Sequence, residues 1–377
     1  MSEKMIKGMD IGSLPEEERH GARFFDHGEE GDALEILKRY GTNYVRLRLW
    51  NDPYDRGGRP YGGGNCDLDC VTALALRAKA LGMGVLLDLQ YSDHWADPGK
   101  QTTPKAWQGL QGGALETAVL TYTAGVMEEL ARRGAAPAMV QVGNELTNGL
   151  LWPEAKRPHF DRIAACVSAG IRGLKSVDPD VPVMIHLDNG GNNAMYREWF
   201  DAYCGSGEDF QIIGLSYYPF WHGTLDELSF NMKDMARRYG KKIVVAEVST
   251  GFSLEDYRPR EVPPEVEEER REEWIRKNLK GYAAGPALAA KIPWPRTPRG
   301  QSDFMEEFLK RVRAEEQALG FFYWEPAWIP VPGVGWSTQE GVDYTGETGP
   351  FGNEWANQAL FDYDGNALPA LEVIRDW

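Results

Sequence analysis

Two glutamates, Glu145 and Glu247, carry the most specific chemistry that this sequence offers. Cleaving a glycosidic bond takes one carboxyl group to protonate the leaving oxygen and a second carboxylate at the anomeric carbon. Residues far apart in the chain can supply the two, provided that the fold brings them to one place. Their surroundings must also differ, because the nucleophile works ionised and the acid works protonated. Asn144 directly precedes Glu145 and offers an amide to a sugar hydroxyl. Arg46 and Arg48 alternate on one side of an apolar run and could hold Glu247 in its charged form; Tyr218 could donate a hydrogen bond to the same carboxylate. A buried structural ion pair is the competing reading for either arginine.

The elements that must position these residues are short apolar runs alternating with helix-period segments, the pattern of a parallel sheet wrapped by helices. Strands are expected at Met5–Ile11, Tyr44–Leu49, Gly84–Leu89, Met139–Val142, Val181–Leu187, Ile212–Ser216, Lys242–Ala246 and Gly320–Tyr323. Between them, Leu115, Val119, Tyr122, Val126 and Leu130 recur at helical steps and stop at Gly134, and Ile163, Val167, Ile171 and Leu174 do the same. Eight strand–helix units predict an α/β fold, a (β/α)₈ barrel in one domain over residues 1–377. A long, partly helical insertion, about Ser253–Arg296, follows the seventh strand, and its charged run Glu261–Arg271 reads as a solvated helix face. Polar and aromatic clusters follow the strands: Tyr91 to Trp95, Asn144-Glu145, Asp188-Asn189, Tyr217-Tyr218, Glu247 and Trp324-Glu325. In such barrels the active site forms at the C-terminal ends of the strands, which is where these clusters fall.

Composition excludes several partners. Against 57 acidic residues stand 41 Lys and Arg, a net charge of −16 that disfavours nucleic acid and other polyanions. A neutral polymer fits better. No apolar run is long enough to span a membrane. Cys66, Cys70, Cys166 and Cys204 lack zinc-site spacing and read as reduced thiols. The six histidines include no tight pair, so neither a metal nor another cofactor is expected. The start MSEKMIKGMDIG has no apolar leader core, which places the chain in the cytoplasm, or outside the cell if a leader was removed.

An Asn-Glu pair ending a fourth strand and a Glu ending a seventh resemble a large clan of retaining barrel glycosidases. That resemblance implies Glu145 as acid/base, Glu247 as nucleophile and Asn144 on the sugar 2-hydroxyl. Longer stretches narrow it: Gly8-Met9-Asp10, Val45 to Pro53, Leu86 to Asp93, Trp95 to Gln101, Val140 to Glu145, Phe322 to Trp328 and Asn357 to Asp362. Together, from about Lys7 to Ile374, they resemble glycoside hydrolase family 53, the endo-β-1,4-galactanases. The resemblance implies a retaining enzyme acting on the β-1,4-galactan side chains of pectin; the expected partner is a neutral β-1,4-galactan or galacto-oligosaccharide, and the expected state is a monomer. The resemblance also implies that Trp324 stacks beneath the sugar and that Asp93, Trp95, Asp188, Asn189 and Trp328 line the cleft. Some bacterial relatives bind calcium after strand seven; Ser253 to Pro259 lacks the cluster of oxygen ligands, so no obligatory calcium is expected. A hydrolase preferring short oligosaccharides and a catalytically weak sugar-binding protein remain as alternatives.

Overall fold

Eight short runs, buried almost throughout, form one parallel sheet, as strands covered on both faces must. They are β1 (Ile6–Asp10), β2 (Tyr44–Leu49), β3 (Gly84–Leu89), β4 (Met139–Val142), β5 (Val183–Leu187), β6 (Ile212–Tyr217), β7 (Lys242–Val248) and β8 (Ala318–Tyr323). Each pairs with its neighbour in sequence, and β8 returns to β1, with Ile6 opposite Gly320 and Met9 opposite Tyr323, closing the barrel. The structure, a computed structural model, describes residues 5–349 and 351–377; residues 1–4 of the N-terminal stretch lie outside them.

A helix follows every strand before the next begins: α1 (Ala33–Arg39), α2 (Leu68–Ala80), α3 (Gly112–Arg132), α4 (Phe160–Val177), α5 (Asn193–Cys204), α6 (Leu225–Tyr239), α7 (Pro298–Arg313) and α8 (Ala370–Asp376). On α3, Leu115, Val119, Val126 and Leu130 are buried as their spacing predicts, while Tyr122 is only partly so. Gly134 then turns the chain at φ +78°, a conformation that costs glycine little. On α4, Ile163, Val167, Ile171 and Leu174 are all buried.

Most apolar residues lie between the sheet and the helices. A second, smaller cluster fills the barrel itself: Leu86, Met139, Met184, Ile212, Val244, Ala246 and Phe322, with Ile6. Phe322 lies across β1, where a Cβ on Gly8 would come within 2.2 Å of its ring. The barrel is therefore a packed plug below an open mouth.

β8 begins at Ala318 rather than Gly320, and two strands run further at their C-terminal ends than their sequences suggest. β6 reaches Tyr217 and β7 reaches Val248, because the pairing slips by one residue: Leu215 faces Val245, whereas Ser216 faces Glu247. Val244 and Ala246 sit in the barrel interior and Val245 and Val248 in the outer core. The extra residue reverses the alternation, so that Glu247 faces inward directly after Ala246. β5 begins at Val183 rather than Val181, since Pro182 has no N–H to give to the ladder.

After β7 the insertion forms two short helices, Arg271–Asn278 and Pro286–Ala289, and two 3₁₀ turns. It packs against the segment between β8 and α8: Phe252 and Tyr257 meet Tyr363, and Leu279 bridges to Phe351. The charged run is not one solvated face. Glu261, at its start, is buried and accepts a hydrogen bond from the Asn353 N–H (3.1 Å). The four cysteines are free thiols, two of them buried.

Candidate active site

Above the plug lies a cleft of about 420 Å³, and its floor is organised by a buried cation. Arg46, near the middle of β2, donates through Nη1 to Asp10 Oδ2 (2.6 Å) and Glu247 Oε1 (2.9 Å). Through Nη2 it reaches Asp88 Oδ2 (2.9 Å) and Asn144 Oδ1 (2.7 Å), and through Nε it reaches Gln141 Oε1 (3.2 Å). The planar, five-donor guanidinium suits this task, fixing residues from β1, β3, β4 and β7 around one point. Three carboxylates share one cation, and burial pushes Asp88 up to about 7 despite its contact with Arg46.

Glu145 and Glu247 come together here. Their carboxylate oxygens, with a ring nitrogen of His186, lie within 4.8 Å of one another. That matches the roughly 5–5.5 Å of retaining glycosidases and leaves too little room for the water that an inverting pair, about 6.5–9.5 Å apart, must hold between them. The two environments diverge as the chemistry requires. Burial raises both carboxyls above their ordinary value, but Glu247 is drawn back by Arg46 and by the Tyr218 hydroxyl, which donates to its Oε2 at 2.7 Å. Glu145 is pushed well up by burial and by the neighbouring Glu247 and Asp188, and the Ser216 hydroxyl lies 2.6 Å from its Oε1. Glu145 is therefore the more readily protonated of the two, and Glu247 the more readily ionised.

Local backbone geometry delivers Glu145 to this point. It leaves β4 in the left-handed region, at φ +49°, as do Tyr91 after β3, Asn189 after β5 and Glu325 after β8. Each such turn at a non-glycine residue costs on the order of 1–3 kcal/mol, and strain of this kind clusters at functional sites.

The sequence-derived residues divide clearly. Asn144, Arg46, Tyr218, Trp95, Asp188 and Trp324 border the cleft with the two glutamates. Arg48 also borders it but does not serve Glu247. It pairs with Glu325, donates to the Gly63 carbonyl (2.9 Å), and lies 4.2 Å from the centre of the Trp95 ring. It is a structural ion pair that backs an aromatic wall. Asn189 supports from behind, its amide donating to Asp188 Oδ2 at 2.6 Å. Asp93 does not reach the cleft. Its buried carboxylate accepts from the backbone N–H groups of Asp52 (3.1 Å) and Lys105 (2.7 Å) and from Tyr344 (3.1 Å), tying loops together. Trp328 is fully buried behind the wall, stacked 6.1 Å from Trp95.

Several cleft residues escaped the sequence reading. Trp336 stacks on Trp95 at 4.2 Å, and Trp355 meets Trp324 edge-on at 4.8 Å. Trp221, 45% exposed, stands at the rim. All three come from loops, where no periodicity marks a residue as inward-facing; only the run Tyr217 to His222, dense in rings, hinted at one of them. Ala283 brings the insertion to the cleft edge. Glu145, His186 and Glu247 are close enough to share a cation. Both ring nitrogens of His186 are already hydrogen-bonded, however, and Glu247 is held through both oxygens. His186 and Glu145 are joined through Ser216, whereas Glu247 belongs to Arg46 and Tyr218.

Comparison with known proteins agrees with this geometry. The Ignisphaera aggregans GH53 catalytic domain superposes with a TM-score of 0.86 at 40% identity, covering 98% of this chain and 95% of that one. An endo-beta-1,4-galactanase of Bacillus subtilis is 34% identical over all of this chain and 86% of its own length. The Aspergillus terreus protein named probable arabinogalactan endo-beta-1,4-galactanase A is 36% identical over 90% of each chain. Residues 6–374 match the glycosyl hydrolase family 53 profile, and with a mouth built around two close, unequal glutamates the chain belongs to that family.

Proposed function

We propose that the chain is a retaining endo-β-1,4-galactanase, hydrolysing galactan by double displacement with Glu145 as acid/base and Glu247 as nucleophile. The observation that carries this reading is the close pair of glutamates, one held by Arg46 and Tyr218 and the other without a cation. Glu145 protonates the glycosidic oxygen while Glu247 attacks the anomeric carbon and forms a glycosyl-enzyme ester. Glu145, now ionised, takes a proton from a water molecule that attacks the same carbon and releases Glu247. Asn144 donates one N–H to the Ala96 carbonyl (2.8 Å), which leaves its other N–H for a sugar hydroxyl. The tryptophans around the cleft offer flat apolar faces to the sugar rings. Galactan as the substrate rests on the family and on the names of the relatives.

The protein acts as a monomer on this reading, since the exposed large apolar residues Leu76, Trp221, Phe230 and Leu254 are few. The test is a product time course on linear β-1,4-galactan beside purified β-1,4-galacto-oligosaccharides. Early products of mixed length from the polymer are expected. Fast cleavage of oligosaccharides with a slow polymer reaction would instead mark an oligosaccharide-trimming enzyme, and no cleavage of either would overturn the hydrolase.

A further inference from the structure

Arg46 also fixes a chain of hydrogen bonds that ends on Glu145. As a pure donor it sets the amides of Asn144 and Gln141, each of which turns its oxygen to the guanidinium. Asn144 Oδ1 then lies 3.0 Å from His186 Nδ1. Gln141 Nε2 is also near that nitrogen, at 3.1 Å, but its two protons have shorter acceptors, Asp88 Oδ1 (2.7 Å) and the Gly143 carbonyl (2.9 Å). His186 must therefore carry its proton on Nδ1 and give it to Asn144. Neutral, as its burial beside Arg46 dictates, it presents a bare Nε2 to the Ser216 hydroxyl 2.8 Å away. Ser216 has one proton. Spent on His186, it leaves the Ser216 oxygen to accept from Glu145 Oε1 at 2.6 Å, so Glu145 must hold the proton of that bond.

We propose that His186 and Ser216 are positioning residues that hold Glu145 in its proton-bearing form, the Ser216 hydroxyl turning from His186 to Glu145 whenever that proton leaves. When Glu145 protonates the leaving oxygen, the Ser216 proton swings to the new carboxylate and His186 Nε2 loses its donor. When water returns a proton to Glu145, the hydroxyl swings back. No proton leaves Ser216 or His186 in the cycle. The other groups facing Glu145 are Glu247 on β7, Asp188 after β5, Asp97 after β3, Tyr196 on α5 and Tyr218 after β6. Those facing His186 are Arg46 on β2 and His222 after β6. None of them donates to Nε2, so the two residues act alone on that bond.

This inference rests on Glu145 being the acid. The test is the pH profile of kcat/KM on galactan for the wild type, Ser216→Ala, His186→Phe and the double variant. In the wild type the basic limb reports the loss of the Glu145 proton. His186→Phe is expected to move it toward lower pH, by about one unit, the worth of the one neutral hydrogen bond that only the protonated state makes. Ser216→Ala should move it little, because it takes two neutral hydrogen bonds from the protonated state and one charge-assisted bond, about twice as strong, from the ionised one. The double variant should move no further than Ser216→Ala. On a dinitrophenyl β-galactobioside, whose leaving group needs no protonation, this basic limb should be absent from the wild type and every variant alike. If Ser216 is a standing donor to the Glu145 carboxylate, Ser216→Ala shifts the limb toward higher pH, and the proposal falls. A limb left unmoved in a folded His186→Phe would overturn it equally, and the Ser216→Ala outcome decides whether or not His186→Phe folds. A wild type that cleaves no galactan would sink the functional reading itself.

Discussion

Opposite protonation of two carboxylates so close together is the central demand on the site, and single side chains meet it. Arg46 and Tyr218 draw the Glu247 carboxyl down, while burial and the charge of Glu247 push that of Glu145 up. Glu145→Ala should cut galactan turnover about 10²–10⁴-fold, the range of a lost general acid. It should largely spare cleavage of the first bond in a dinitrophenyl glycoside, measured as the burst of released phenol. A burst reduced as far as galactan hydrolysis would remove Glu145 from the acid role. Glu247→Ala should abolish both reactions. Arg46 and Tyr218 were legible as partners of Glu247 from residue type and spacing, because a guanidinium and a phenol can only donate to a carboxylate. The service of Arg48 to Glu325 was not, since on β2 the two arginines are equivalent in pattern and differ only in what faces them.

Among the elements, the slip between β6 and β7 has the most direct bearing on catalysis. It makes Ala246 and Glu247 face the interior in succession, and the methyl of Ala246 is all that the packed barrel admits there. Ala246→Leu should destabilise the fold by about 1–3 kcal/mol through overpacking. It should also lower kcat more than it raises KM, by displacing the nucleophile rather than the sugar platforms; unchanged kcat would show that the bulge does not set the position of Glu247. The insertion after β7 carries a second expectation. Burial pushes the Glu261 carboxyl up to about 8, so the folded state binds this proton more tightly than the unfolded chain does. Its contribution to stability is full below pH about 4.3, where an unfolded glutamate also holds its proton, and is lost as pH rises toward 8. Glu261→Gln should match the wild type in denaturant titrations at pH 5 and exceed it by about 2 kcal/mol or more at pH 9. A difference independent of pH would mean that Glu261 is not buried as a neutral acid. The reading of Glu261–Arg271 as a solvated face failed here because a charged run gives no sign of which member a distant loop, through Asn353, will cover.

For the molecule as a whole, stability and function sit at opposite ends of the barrel. Phe322 and its neighbours plug the lower interior, away from the cleft residues. Phe322→Ala should cost about 3–5 kcal/mol in stability while leaving KM and kcat per folded molecule near the wild-type values. Kinetics that fall with stability would show that the plug positions the mouth. The net charge of −16 acts at this scale as well, favouring a neutral polymer over anionic ones.

The sequence by itself determined the eight strand–helix units, the buried faces of the helices that carry Leu115 to Leu130 and Ile163 to Leu174, and the two glutamates with the asparagine beside one of them. These follow from periodicity and residue chemistry, which are local. Only the tertiary structure decided that β8 closes on β1, that a one-residue slip turns Glu247 inward, and that Trp336, Trp355 and Trp221 belong to the cleft whereas Asp93 and Trp328 lie behind it. It alone decided how Arg46 orders the hydrogen bonds around both carboxylates. The physical reason is common to all of these: loops have no repeating period, and the partner of a buried charge is set by strands far away in the chain.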